Sequence, residues 1–196
     1  MRRTLCPLLL AIAMPAQGAD WLLDASSFVA RAERSPGEVG SIEVKGPNVF
    51  SGYWRMREKT REEFTEDGWF RTGDVGSLDV QGRLTLVGRS KDLIISGGFN
   101  VYPAEIEGYL NEAEGVLESA VVGAPHPDFG EAVVAVVVPR AGATLEPDGL
   151  IAALKGQIAN YKVPKRIFLA DSLPRNAMGK VQKNVLRERH QDSFGR

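Results

Sequence analysis

Residues 88–107 read GRSKDLIISGGFNVYPAEIE, and the fold turns on how this stretch is divided. It begins with a short charged link, Gly88–Asp92. A brief apolar strand follows and stops at the pair Gly97–Gly98. Pro103 suits the first position of a helix, because its missing N–H would have no partner there and its φ is already helical. Glu105 stands in the first turn, where a carboxylate favours the helix dipole. Ile106 and Leu110 lie four apart on one helix face and make its buried stripe. The link therefore separates two units of different texture.

Downstream, residues 117–125 (LESAVVGAP) and 131–139 (EAVVAVVVP) read as two strands. The second is apolar on both faces, as a central strand should be. Residues 146–161 are helical in pattern, with Leu150, Ile151, Leu154 and Ile158 on one face. A last short strand, 165–170, leads into the polar loop LPRNAMGK (173–180) and a terminal helix from Val181 to Arg189. The order β, α, β, β, α, β, α predicts a compact α+β domain over residues 91–190, with 191–196 as a tail. Upstream, residues 37–54 alternate apolar and polar between glycines, as short strands do. A charged turn of helix follows, then an Asp-Gly turn at Asp67–Gly68. Residues 76–89 read as a hairpin turning at Gln81–Gly82, with Leu84 and Leu86 on one face. Residues 37–90 are thus a small β-rich unit.

Composition narrows the functional classes. Of the 196 residues 43% are apolar and 25% charged, which suits a soluble globular protein. A net charge of −1 gives no bulk electrostatic case for nucleic acid or an anionic membrane. A single cysteine, Cys6, excludes an internal disulfide and a cysteine-based metal cluster. His126 and His190 lie far apart and make a poor metal pair, and His126 reads as a loop residue in a proline-rich turn. The N-terminus has two arginines, an apolar run from Leu5 to Met14, and small residues at Ala16 and Gly18, which is the layout of a secretory signal. It is too short, and too broken by Pro7, for a stable membrane span. Residues 1–36 are expected to be either such a targeting segment or a stretch foreign to the fold.

Four places could carry chemistry. Asp74 follows a tight glycine in RTGD (71–74), where a fixed carboxylate can accept two hydrogen bonds from a vicinal diol, or merely close a turn. Arg89, Lys91 and Asp92 crowd the link, which could equally be a solvated connector. Gly97 and Gly98 would let backbone approach a ligand closely, or make a plain turn. Lys180 follows Gly179 on a loop that could swing, or it belongs to a solvated basic turn.

In this order and at these spacings the four are specific together. The segments GYW (52–54), DGWFRTGD (67–74), GRSKDLIISGGFNVYPAEIE (88–107), AVVGAPHPDFGE (120–131), YKVPKRI (161–167) and LPRNAMGK (173–180) resemble the C-terminal part of the acyl-CoA synthetases, in the adenylate-forming ligase superfamily. The likeness runs from about Gly37 to His190 and is greatest to the malonyl-CoA synthetase branch. It implies a C-terminal lid domain and a two-step reaction. A small carboxylic acid attacks the α-phosphorus of ATP and releases diphosphate, and the CoA thiol then displaces AMP from the acyl-adenylate. Lys180 matches the lysine that assists the first step. Lys91 matches the hinge about which the lid rotates between steps. Gly97 and Gly98 match the loop that lines the CoA tunnel. Asp74 matches the holder of the ATP ribose hydroxyls, and Arg89 a further nucleotide contact.

The same resemblance exposes a gap. The family's large N-terminal adenylation domain carries a phosphate loop and a glutamate that holds Mg2+, and this sequence shows neither motif. No residue here is assigned to metal, and the chain by itself is expected to be inactive. Three functions follow from the sequence: the C-terminal part of an acid–CoA ligase for malonate or a similar small acid, a non-catalytic module that complements a separate adenylation domain, or a truncated remnant. A ligase that consumes ATP and CoA is expected in the cytoplasm.

Overall fold

The computed structural model describes residues 29–32, 35 and 37–195. The signal-like run 5–18 lies outside the described residues. The chain divides into two units, after Leu86, where the sequence reading set the boundary after residue 90.

The first unit is a four-stranded sheet in the order β1-β2-β3-β4. Its strands are β1 (Val29–Ala32), β2 (Gly40–Lys45), β3 (Phe70–Leu78) and β4 (Leu84–Arg89), with one short helix, α1 (Arg57–Glu63), between β2 and β3. β4 runs on past the division. Ile42 and Val44 of β2 bury one face with Phe70. Phe50 meets Tyr53, Phe64 and Phe70 edge-on at centroid distances of 5.0, 5.5 and 5.0 Å. Such edge-to-face pairs add about 0.5–1.5 kcal/mol each beyond burial. Glu43 is also buried, which an isolated carboxylate does not tolerate. Register supplies its partners: Arg31 of β1 and Arg71 of β3 lie directly opposite it, and their guanidinium groups reach its carboxylate at 2.7 and 3.5 Å. Residues 29–32, read from sequence as part of the N-terminal segment 1–36, thus form an edge strand of this sheet.

The second unit contains β5 (Ile94–Ser96), β6 (Phe99–Val101), α2 (Pro103–Glu112), β7 (Val116–His126), β8 (Gly130–Pro139), α3 (Pro147–Lys155), β9 (Arg166–Leu169) and α4 (Lys183–His190). The strands form one sheet in the order β6-β5-β8-β7, with β9 parallel to β8. β8 explains the architecture. Val133, Ala135 and Val137 pack with Ile106 and Leu110 of α2 and Leu154 of α3. Val134, Val136 and Val138 pack with Leu186 of α4. A strand with helices on both faces must be apolar throughout, and its sequence is. This is the α+β fold that the sequence predicts.

The differences are local. The strand after the link does not lead straight to a helix. It turns at Gly97–Gly98 and pairs with the short β6, in register Ser96↔Phe99. The helix expected over 146–161 ends at Lys155, ahead of Gly156, although Ile158 still packs on the core. Phe194, in the expected tail, packs on the core cluster of α4, with the Arg166 guanidinium over its ring at 5.1 Å. The edge of β7 is closed by a side chain: Glu107 accepts the Val121 N–H at 2.7 Å. Among the described residues no helix is long and apolar enough to cross a membrane.

Candidate functional site

Lys180 stands at the base of a small hairpin. The Asn176 N–H donates to the Lys180 carbonyl at 2.9 Å, and the Gln182 N–H to the Pro174 carbonyl at 2.8 Å. Arg175 and Val181 form a bridge between these bonds. Ala177, Met178 and Gly179 cross the tip. The Gly179 N–H returns to the Asn176 carbonyl at 2.9 Å, and Gly179 has φ +76°. A tight turn followed by a left-handed residue is the common three-residue hairpin connection, and glycine adopts that conformation without strain. Asn176 completes the turn, because its Oδ1 accepts the N–H groups of Met178 and Lys180, each at 3.0 Å. The loop expected to swing is therefore an internally bonded hairpin. Lys180 is exposed, and its ammonium makes no ion pair among the described residues.

Gly97 and Gly98 are the two central residues of the β5–β6 hairpin, with φ +58° and +83°. Positive φ at both positions is what the tightest hairpin turn requires. The Gly97 N–H also donates to the Phe129 carbonyl at 2.9 Å. A Cβ on Gly98 would meet no atom within 4 Å, so a side chain there would project into open space. Phe99 follows, half exposed, and stacks on Tyr161 with centroids 4.5 Å apart.

The link around Lys91 is not a loose connector. Ser90–Asp92 make one turn of tight helix. Arg187 of α4 donates to the Lys91 carbonyl at 3.2 Å and pairs with Asp92 at 2.8 Å. The Lys91 side chain itself is exposed, and Arg89, the last residue of β4, is half-buried.

Asp74 belongs to the first unit. The sequence suggests a turn, but Asp74 lies inside the strand β3 and is buried, 5% exposed. The register of β2 against β3 slips at this point, so Thr72, Gly73 and Asp74 form a bulge. Gly73 has φ +71°, and the Thr72 hydroxyl donates to the Ile42 carbonyl at 2.9 Å while accepting the Asp74 N–H at 3.1 Å. The described residues contain no group of three or more His, Cys, Asp or Glu that could hold a metal.

Residues 105–180, from the first turn of α2 to the hairpin lysine, match the model of the AMP-binding enzyme C-terminal domain. Over that stretch the chain is similar to this family. Relatives extend the likeness beyond the domain. An indoleacetate–CoA ligase of Aromatoleum aromaticum is 49% identical over 153 residues, covering 78% of this chain and 30% of that protein. A 3-[(3aS,4S,7aS)-7a-methyl-1,5-dioxo-octahydro-1H-inden-4-yl]propanoyl:CoA ligase of Rhodococcus jostii is 51% identical over 152 residues, with the same coverage. Among solved structures, ATP-bound MatB from Rhodopseudomonas palustris superposes with a TM-score of 0.79 at 53% identity, over 86% of this chain and 35% of MatB. The chain spans about a third of the length of the relatives it matches.

Some contacts within the second unit carried no sequence signal. Arg175 bridges the Lys180 hairpin to Glu118, across 57 positions of chain. Lys162 holds both oxygens of Glu105 at 2.7 and 2.8 Å across the same separation. That hydrogen bond raises the Lys162 pKa above its ordinary value, against an opposing effect of burial.

Proposed function

We propose that this chain is the lid-bearing segment of an AMP-forming acid–CoA ligase and that Lys180 serves the adenylation step. The observation that carries the reading is the hairpin: a hydrogen-bonded turn that presents an exposed ammonium group, with no ion pair among the described residues, at the end of the stretch that matches the family model. In adenylation a carboxylate oxygen attacks the α-phosphorus of ATP and diphosphate leaves with the electron pair of the broken P–O bond. Two anions must approach, and a cation offsets their repulsion. At about 4 Å and an effective dielectric near 20, one unit charge pair is worth about 4 kcal/mol. Lysine suits the task as a compact charge on a flexible stem. In the second step the CoA sulfur attacks the acyl carbon and AMP leaves. The β5–β6 turn serves this step, because Gly98 leaves clear the space that a thiol arm would occupy. Lys91, near the start of the second unit, is the pivot between the two steps. Asp74 and Arg89 hold the nucleotide.

The acid is malonate or one of similar size, a reading that rests on the resemblance of residues 37–190 to the malonyl-CoA synthetase branch. ATP and CoA as co-substrates, and the cytoplasm as the place of work, follow from the ligase reading. The test exchanges residues 37–196 for the matching stretch of MatB and measures diphosphate release and acyl-CoA formation with malonate, ATP, Mg2+ and CoA. We expect an active ligase. A soluble, folded exchange protein that forms neither acyl-adenylate nor thioester would overturn the proposal.

A further inference from the structure

We infer that Arg175 is the positioning residue of the Lys180 hairpin, one guanidinium nitrogen holding the turn and another holding the sheet. Its Nη1 donates to the Gly179 carbonyl at 2.7 Å, next to the lysine. Its Nη2 forms a close ion pair with Oε2 of Glu118 on β7. A planar fork can bridge two fixed acceptors in this way, and a lysine ammonium on a flexible stem cannot fix both directions at once. The chain that leaves the hairpin is linked to the same strand through Glu107 of α2. Lys183, at the start of α4, meets Glu107 at 2.6 Å, and Glu107 accepts the β7 amide of Val121. The hairpin and the chain that leaves it are therefore both referenced to β7, a strand buried along most of its length. The hairpin and its lysine travel as one body with the sheet instead of flexing upon it.

The chemistry gives this stiffness a purpose. A charge stabiliser works only when it is already in place, and misplacement by about 1 Å can lower a rate by about 10². The inference rests on the adenylation role of Lys180, yet the order of the hairpin can be read without any substrate.

The experiment follows amide exchange with water in the full chain, with Arg175→Met, Glu118→Gln and Arg175→Lys. Arg175→Met, which removes both bonds, and Glu118→Gln, which weakens one, are expected to speed exchange at Asn176, Gly179 and Lys180 by about tenfold or more. The amides between β7 and β8 keep their rates. Arg175→Lys retains the charge and loses the fork, so it too leaves the hairpin fast. Unchanged exchange in Arg175→Met and Glu118→Gln, or acceleration spread over the whole sheet, overturns the inference. In the MatB exchange protein, Arg175→Met is expected to lower kcat for adenylation about tenfold, with KM for ATP unchanged. A loosened hairpin with undiminished kcat would also overturn it. If instead Lys180→Ala leaves adenylation intact, the role given to Lys180 fails, while the amide result still reports on the clamp.

Discussion

Gly98→Ala and Gly179→Ala form a matched pair of perturbations. Both glycines have left-handed φ, +83° and +76°, and at neither would an added Cβ meet an atom within 4 Å. No steric clash contributes, so the cost is the backbone strain of an L-residue in that conformation, about 1–2 kcal/mol. Alanine also lowers the entropy of the unfolded chain, which returns about 0.4–1 kcal/mol. The net loss is then about 0–1.6 kcal/mol at either site, centred near 0.8 kcal/mol. With a urea dependence of about 1–3 kcal/mol per molar, the midpoint of the second unit falls by roughly 0.5 M in both variants. Asparagine at either position tolerates the conformation better and loses less. The two variants part company in function. In the MatB exchange protein, if the proposed role of the β5–β6 turn holds, Gly98→Ala is expected to slow thioester formation from preformed acyl-adenylate and to spare adenylation. Gly179→Ala distorts the lysine hairpin and does the reverse. Equilibrium urea unfolding of the full chain checks the energies, and single-turnover assays of each half-reaction check the roles. A loss above about 3 kcal/mol at Gly98 would mean that the turn is packed against something. Slowing of the same half-reaction by both substitutions would refute the division of labour between the two turns.

Gly76→Ala should be more damaging than either, since its Cβ would stand 2.5 Å from the backbone carbonyl oxygen of Thr85 on the neighbouring strand. A loss of about 1–3 kcal/mol confined to the first unit is expected in the same urea experiment, with the second unit unaffected. The Lys162–Glu105 pair gives an alkaline signature. Its lysine pKa is raised in the folded state, so the stabilisation is fully present below the unfolded value of 10.5 and disappears as pH rises through the higher folded value. Glu105→Gln should lower stability by about 0.5–1 kcal/mol at neutral pH, after allowing for solvent screening of the pair, and flatten the loss above pH 10.5.

The sequence disclosed most where a single physical requirement acts on neighbouring residues. β8 is apolar on both faces because helices cover both, and that run is visible without a structure. The Pro103 helix start and the stripe of Ile106 and Leu110 are equally local. β6 was hidden because a strand of three residues has no periodicity to detect. The end of α3 at Lys155 was masked by Ile158, an apolar residue that keeps the helical spacing yet reaches the core from beyond the helix. Asp74 reads as a turn because Thr-Gly-Asp is turn chemistry, whereas register against β2 makes the same residues a bulge. The strand Val29–Ala32 is bound by pairing with β2 and by the contact of Arg31 with buried Glu43, which its own sequence does not announce. Of the candidate site, the lysine and the glycines were legible as motif positions. The bridge from Arg175 to Glu118 was not, because only the folded chain brings those residues together.

The most direct measurement is the rate of acyl-adenylate formation by the MatB exchange protein carrying Lys180→Ala, followed by the rate of thioester formation from acyl-adenylate supplied ready-made. Adenylation should fall about 10²-fold or more, the scale of losing one preorganised charge stabiliser, while the thioester rate holds. Equal losses in both steps, or adenylation that proceeds as before, would contradict the assignment of this ammonium group to the first step.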